Sequence, residues 1–158
     1  MEQKTKKLNI GIVKIETKSF SMTYASLNHN KLEPVDIEFG LNFTAPDESK
    51  VFMFTIDVNI YAVNQEKSKL ANLKVVTHFR VANVEDFLHP SDHPGGAQRM
   101  EGTLVQFCLD VSLSHARGIL SVKSEGTPLE DILLPMIPPG HMMSQLQVQT
   151  AETTTPTS

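Results

Sequence analysis

The sequence predicts an α+β fold, in which one long C-terminal helix follows a four-stranded antiparallel sheet. Four segments in the first half of the chain alternate apolar and polar residues, a pattern typical of strands with one buried face. A longer segment at about 100–123 is apolar with helical periodicity and stops before Gly126 and Pro128. Because the apolar face of the sheet must be covered, we expect the helix to pack on it.

The first predicted strand is long and bent, and it covers residues 8–15 and 20–24. Its apolar residues change from one phase of the alternation to the other, which a β-bulge near Thr17–Ser19 would produce. The three later strands alternate regularly and are separated by polar turns. They are expected at residues 35–43, 51–63 and about 70–82.

The predicted helix is apolar around most of its circumference, and its polar residues form one narrow stripe. A helix that rests on a sheet at a solvent surface needs an apolar stripe of only about 100°. One explanation is burial on both sides within one domain, but the chain has no further element for the second side. We therefore expect a second subunit to cover it. The residues expected at this oligomer interface are Leu104, Cys108, Leu109, Leu113, Ala116 and Leu120.

The chain after the helix divides into an apolar segment and a polar tail. Prolines interrupt residues 129–139, so this segment is expected to lie extended over an apolar surface rather than to form a regular helix or a central strand. Residues 141–158 are low in charge and in apolar content, and we expect them to be disordered. The sequence thus predicts one domain, residues 1–140, with a disordered tail.

Composition excludes several classes of protein. The 158 residues are 40% hydrophobic and 20% charged, which excludes a wholly disordered chain and a membrane protein. A net charge of −4 gives no electrostatic footprint for nucleic acid. The single cysteine, Cys108, excludes an intrachain disulfide framework and suits a reducing compartment. Lys14 and Glu16 interrupt the apolar run near the N-terminus, so no signal peptide is predicted and a cytoplasmic location is expected.

Two groups of residues have the chemistry of an active site, but neither has the required pattern. His89, Asp92 and His93 are metal-ligand types, yet adjacent prolines favour a loop over the helix that such a motif needs. Ser112 and His115 lie three residues apart in the predicted helix, without a sharp turn to expose the serine or an oxyanion donor. The sequence therefore predicts no enzyme, no bound metal and no cofactor.

Three short segments give the sequence its one family resemblance. Residues 77–85, at the end of the fourth strand, 113–120, in the helix, and 126–136, after it, resemble in order and spacing the corresponding segments of the SecB family of export chaperones. The resemblance implies a four-stranded sheet with a long helix, paired through strands and helices into a homodimer or a homotetramer. It also implies ATP-independent binding of non-native polypeptides in an apolar groove, with the SecA motor or an antitoxin as further partners.

Surplus apolar residues are consistent with such a groove, because exposed apolar grooves usually bind proteins or peptides and methionine repacks readily around different partners. One predicted wall is the bent first strand with its following loop, and the other is the segment after the helix. The candidate client-binding residues are Phe20, Met22, Tyr24, Leu27, Ile132, Leu134, Met136 and Ile137.

The sequence departs from the family in ways that leave other functions open. Pro138-Pro139-Gly140 makes the second helix of the family unlikely at that point, and the tail beyond Gly140 has Glu152 as its one charged residue. The first alternative is a SecB-fold adaptor dedicated to one partner such as an antitoxin, with no general chaperone activity. Two others are an enzyme or metal protein that uses His89, Asp92 and His93, and a small-molecule binder that uses the groove.

Overall fold

The structure is a computed structural model that describes residues 7–23, 34–44, 48–63, 67–90, 94, 98–136 and 147–149, the last three as backbone. The four predicted strands are present, and all pair antiparallel. The four-stranded antiparallel sheet with one long helix confirms the predicted fold class. The main elements are β1 (Ile10–Met22), β2 (Val35–Thr44), β3 (Val51–Ala62), β4 (Lys69–Val81) and α1 (Gly102–Ser124).

The order of strands in the sheet places β1 and β2 on opposite sides of the central pair. The order is β1-β4-β3-β2, so the first and fourth strands are neighbours. The pairing of β1 with β4 has two register shifts, between Ile12 and Lys14 and between Thr17 and Ser19. The second shift confirms the predicted bulge, and the first was not anticipated. As a result of the first of these shifts, Ile12 and Ile15 are aligned with Phe79 and Thr77 of β4.

A short irregular region connects the sheet to the helix. It contains a 3-10 helix at Val84–Phe87 and two short antiparallel strands, β5 (Leu88–His89) and β6 (Arg99–Met100). The sequence predicted only a loop at Leu88–Gln98. The pairing of β5 with β6, which joins the two ends of this loop, was not predicted. This ladder brings the chain back to the point where α1 begins.

The core lies between one face of the sheet and α1, which packs over β3 and β4. Four phenylalanines from β2, β3 and β4 pack against each other within it, mostly edge to face, with ring centroids 5.0–6.1 Å apart in the contacting pairs. Aromatic pairs at these separations contribute about 0.5–1.5 kcal/mol beyond their buried area. They are Phe43, Phe52, Phe54 and Phe79.

The helix ends where Gly126 adopts a φ of +71°, a conformation that glycine adopts without steric cost. Beyond it, residues 132–136 form no regular secondary structure, as the prolines predict. Ile132 and Leu134 are buried, whereas Leu133 and Met136 are exposed. This segment therefore covers part of the core with alternate side chains.

One part of the tail departs from the expected disorder. Gln147–Gln149 form β7, which pairs in parallel with Asn42–Thr44 at the edge of β2. Edge strands present unpaired backbone donors and acceptors, and a nearby extended segment can pair with them even when its composition is polar. Among the described helices, none is long and apolar enough to cross a membrane.

Candidate functional site

Exposed apolar side chains lie on β1 and on one flank of α1. Ile12 and Ile15 on β1 are 50% and 43% exposed, and Phe107 and Val122 on α1 are 46% and 71% exposed. Val111, on the same flank of the helix, is half-buried and packs against the core. We call these five residues the β1–α1 surface.

The strand half of this surface exists because α1 does not extend over β1. Cross-strand partners in a sheet point to the same face. Ile12 is opposite Phe79 and Ile15 is opposite Thr77, and both partners are fully buried on the face that α1 covers. Because the helix packs over β3 and β4, the isoleucines on the adjacent edge strand stay exposed beside it.

A hydrogen bond fixes which flank of the helix lies over β4. The Nδ1 atom of His115 is 3.1 Å from the Oγ1 atom of Thr77. Residues four apart on a helix share a face, so Val111 and Phe107 lie on the same flank as His115. Burial lowers the pKa of His115, so the ring is neutral in the folded chain at neutral pH. Thr77 thus aligns the apolar flank of the helix with the side of the sheet that carries β1.

The opposite flank of α1 is polar and is occupied by the chain itself. The guanidinium of Arg117 donates a hydrogen bond of 3.0 Å to the carbonyl of Pro135, which holds the segment after the helix against this flank. On the β2 side of the sheet, Leu41 and Phe43 are buried. The two edges of the sheet are therefore covered differently: apolar side chains are buried at β2 and exposed at β1.

The backbone of β1 adds a second binding feature to the surface. In the described part of the chain, β1 pairs with β4 alone, so its other edge has unpaired backbone groups. Charged side chains lie on the face of the strand away from the helix. There Lys14, His78 and Lys18 contact Glu16 at 2.6, 2.7 and 3.1 Å and lower its pKa to about 2. An extended chain added at this edge would meet apolar groups on one face and charged groups on the other.

The predicted client-binding residues are only partly brought together. Phe20 and Met22 lie half-buried on β1, and the ammonium of Lys123 lies 5.9 Å from the ring centroid of Phe20. The second predicted wall is mostly inside the core, since Ile132 and Leu134 are buried and Met136 alone is 88% exposed. The other three predicted residues, Tyr24, Leu27 and Ile137, lie outside the described residues.

The six residues predicted for the oligomer interface are buried within their own chain. Each is 3% exposed or less, and each belongs to the core that α1 forms on the sheet. The sequence showed an apolar helix but not which side meets the sheet. The residues concerned are Leu104, Cys108, Leu109, Leu113, Ala116 and Leu120.

The possible catalytic groups have structural partners. Ser112 is buried, and its hydroxyl donates a hydrogen bond of 2.7 Å to the carbonyl of Cys108. His115 is hydrogen-bonded to Thr77. Burial raises the pKa of the Cys108 thiol to about 12, which leaves it protonated and unreactive. Among the described residues, no group of three histidine, cysteine or acidic side chains is placed to hold a metal ion. Asp92 and His93 lie outside that part of the chain.

Sequence reasoning missed the exposed residues Ile12, Phe107 and Val122. The signal for the strand half was the broken alternation in β1, which shows that the strand bends away from a regular register. For the helix half, the signal was the width of the apolar stripe, which is larger than the contact with the sheet needs; the predicted interface residues lie inside that contact, and Phe107 and Val122 lie outside it.

Comparison with known proteins supports the fold. No family model matches the sequence, and no curated protein matches it. A SecB-like chaperone from Mycobacterium tuberculosis, whose structure contains a ChAD peptide from the HigA1 antitoxin, is similar with a TM-score of 0.56 and 14% identity. The match covers 82% of this chain and 91% of that one. A protein of unknown function from Streptococcus agalactiae matches 83% of this chain and 100% of its own, with a TM-score of 0.33 and 9% identity, too low to support an argument. The chain therefore has the SecB-like fold.

Proposed function

Starting from the SecB-like fold, we propose that this protein is an ATP-independent chaperone that binds extended segments of non-native polypeptides. The observation that carries the proposal is the β1–α1 surface, where exposed apolar side chains lie beside an unpaired strand edge. The related fold in Mycobacterium tuberculosis, solved with a peptide, supports a polypeptide as the ligand. The protein is proposed to act in the cytoplasm.

The surface suits a ligand without a fixed sequence. Apolar burial is non-directional and depends on the area removed from water, so many side chains serve equally well. Backbone pairing at a strand edge is also independent of the partner's sequence. Apolar burial and backbone pairing are both offset by the entropy that the client loses on ordering. Each segment of the client therefore binds weakly, and the affinity adds up over a long chain.

A second candidate is an adaptor dedicated to one protein, such as an antitoxin. The peptide in the related structure comes from an antitoxin, and this observation favours the adaptor. The two candidates differ in breadth: a chaperone binds unrelated unfolded chains with similar affinity, whereas an adaptor binds one sequence and ignores the others. Transfer of clients to the SecA motor belongs to the first candidate only.

We also propose that the protein is a homodimer or a homotetramer. The support for this part is the resemblance of residues 77–85, 113–120 and 126–136 to the SecB family, which pairs its subunits through strands and helices. Native mass of the protein alone gives the number of subunits. A value of one subunit contradicts this part of the proposal and leaves the binding surface of each chain intact.

The experiment that tests the function is native mass spectrometry with a permanently unfolded polypeptide, prepared by reduction and carboxymethylation. The chaperone proposal predicts that the oligomer gains the mass of one unfolded chain, without nucleotide. A folded protein of the same length is the control and should not bind. An oligomer that ignores several unrelated unfolded chains contradicts general chaperone activity and favours the adaptor.

A further inference from the structure

The edge of β2 carries a contact that the proposed client surface does not use. Gln147–Gln149 of the tail pair in parallel with the end of β2, and Asn42, Phe43 and Thr44 are aligned with residues 147, 148 and 149. In the described part of the chain, the rest of β2 has no partner on this edge. The tail therefore pairs with only one end of β2, an edge strand of ten residues.

Charge distinguishes the two halves of β2. Asp36 and Glu38 lie in the first half, and Lys67 contacts their carboxylates at 3.9 and 2.5 Å. Charged residues on an edge strand are a device that prevents other strands from adding to it. The second half, residues 40–44, has the sequence Gly-Leu-Asn-Phe-Thr and carries no charge. Strand addition is hindered in the first half and open in the second, which is where the tail pairs.

We propose that residues 40–44 of β2 are a strand-addition site for extended, uncharged polypeptide segments, and that the tail strand masks this site in the free protein. The sequence of residues 145–149, Gln-Leu-Gln-Val-Gln, has the alternation of a strand and no charge. It matches the uncharged half of β2 in chemistry. The occupant that replaces it is an extended segment of the same kind from another polypeptide.

The covalent connection explains how so short a pairing can mask the site. Residues 137–146 join the tail strand to Met136, so the tail stays near β2 and has an effective concentration in the millimolar range. A pairing of three residues opens readily, so a competing segment can displace it. Use of the site by a chaperone client rests on the function proposed above, whereas the site and its masking do not.

The test uses the full chain and a labelled synthetic peptide with the sequence of residues 144–150, followed by fluorescence anisotropy. Replacing each of the residues Gln147, Val148 and Gln149 with proline removes the backbone donors of the tail strand. An edge that is masked about 90% of the time lowers the apparent affinity about tenfold, so the triple variant should bind the peptide about tenfold more tightly than the native chain. Three prolines at positions 153–155 are the control and should change nothing.

A second variant locates the peptide. Asn42→Lys, combined with the three tail prolines, places a charge in the uncharged half of β2 and should abolish the gain in affinity. Equal peptide affinity in the native chain and the triple variant would overturn the masking. Binding that survives Asn42→Lys would overturn the site. Neither result depends on unfolded proteins or on β1, so failure here is distinguishable from failure of the proposed function.

Discussion

Replacing both Ile12 and Ile15 with threonine should weaken binding of an unfolded polypeptide about 30-fold while leaving the fold intact. Both side chains belong to the β1–α1 surface, on the edge strand that the helix leaves uncovered. Threonine keeps the branched β-carbon that suits a strand, removes two of the four side-chain carbons and places a hydroxyl in the contact.

The magnitude follows from the exposure of the two side chains. Complete burial of an isoleucine contributes about 1.5–3 kcal/mol relative to exposure. Ile12 and Ile15 are 50% and 43% exposed, so close to half of this contribution is still to be gained when a ligand covers them. Each therefore contributes about 1 kcal/mol to binding, and the two together about 2 kcal/mol, which is about 30-fold in Kd.

The assay is fluorescence anisotropy of a labelled, carboxymethylated polypeptide titrated with native or variant protein. Val63→Thr is the matched control, because Val63 is 59% exposed but lies just beyond the end of β3, outside the surface. Thermal unfolding of the double variant should show a loss of stability of about 1–2 kcal/mol, because about half of each isoleucine is already buried in the folded chain, whereas Val63→Thr should cost about 0.5 kcal/mol or less.

Unchanged affinity in the double variant would refute the assignment of the β1–α1 surface. An equal loss of affinity in Val63→Thr would show that binding is not specific to the β1–α1 surface. Native mass of the same samples reports the number of subunits. Weaker binding at unchanged mass shows that the isoleucines contact the client, and weaker binding with fewer subunits shows that the client site requires the subunit contact.

Three further predictions concern the helix and its surroundings. Lowering the pH through 6.5, the ordinary pKa of histidine, should reduce the free energy of unfolding. Burial lowers the pKa of His115 in the folded chain, so the unfolded chain binds the proton first as the pH falls. In thermal melts, His115→Gln should make the stability less dependent on pH. Arg117→Gln removes the hydrogen bond to the carbonyl of Pro135, so limited proteolysis should cleave residues 129–136 faster. Cys108, fully buried with a pKa of about 12, should react with a thiol reagent only after denaturation, with one equivalent per chain.

Two of these predictions have a control variant in the chain, and the third has a direct contradicting outcome. His78→Gln changes a histidine that is paired with Glu16 on the other face of the sheet, and it should leave the contribution of His115 in place. Lys123→Gln removes a different positive charge from the same helix and should not speed cleavage after Leu129. Rapid labelling of Cys108 in the native protein would contradict its burial between the helix and the sheet.

The predictability of the fold reflects how strongly each element is specified locally. β2 and β3 alternate strictly, and their observed bounds differ from the predicted ones by one residue at a single end. The predicted helix at 100–123 is observed at Gly102–Ser124, since its glycine stop signal lies in the sequence itself. Periodicity and stop signals are local properties, and one sequence is enough to detect them.

The site was less predictable because it depends on how elements are placed against each other. The apolar stripe of α1 is wider than one contact needs, but only the packing of the helix on the sheet, which includes the Thr77–His115 hydrogen bond, shows which edge of the stripe remains uncovered. The sequence located one bulge in β1 and missed the one after Ile12, which also helps to set which side chains face the helix. The short pairing of Gln147–Gln149 also depends on the available edge of β2, which the sequence of the tail does not show.

Hydrogen–deuterium exchange of the native protein, with and without a carboxymethylated unfolded polypeptide, tests the central claim most directly. If an extended client adds to the uncovered side of β1, amides of Ile10–Met22 should exchange more slowly in the complex, together with those of the flank of α1 around Phe107. Amides of β3, which lies inside the sheet, should exchange at the same rate in both samples. Protection confined to regions away from β1 and α1, in a sample where binding is saturated, would contradict the account.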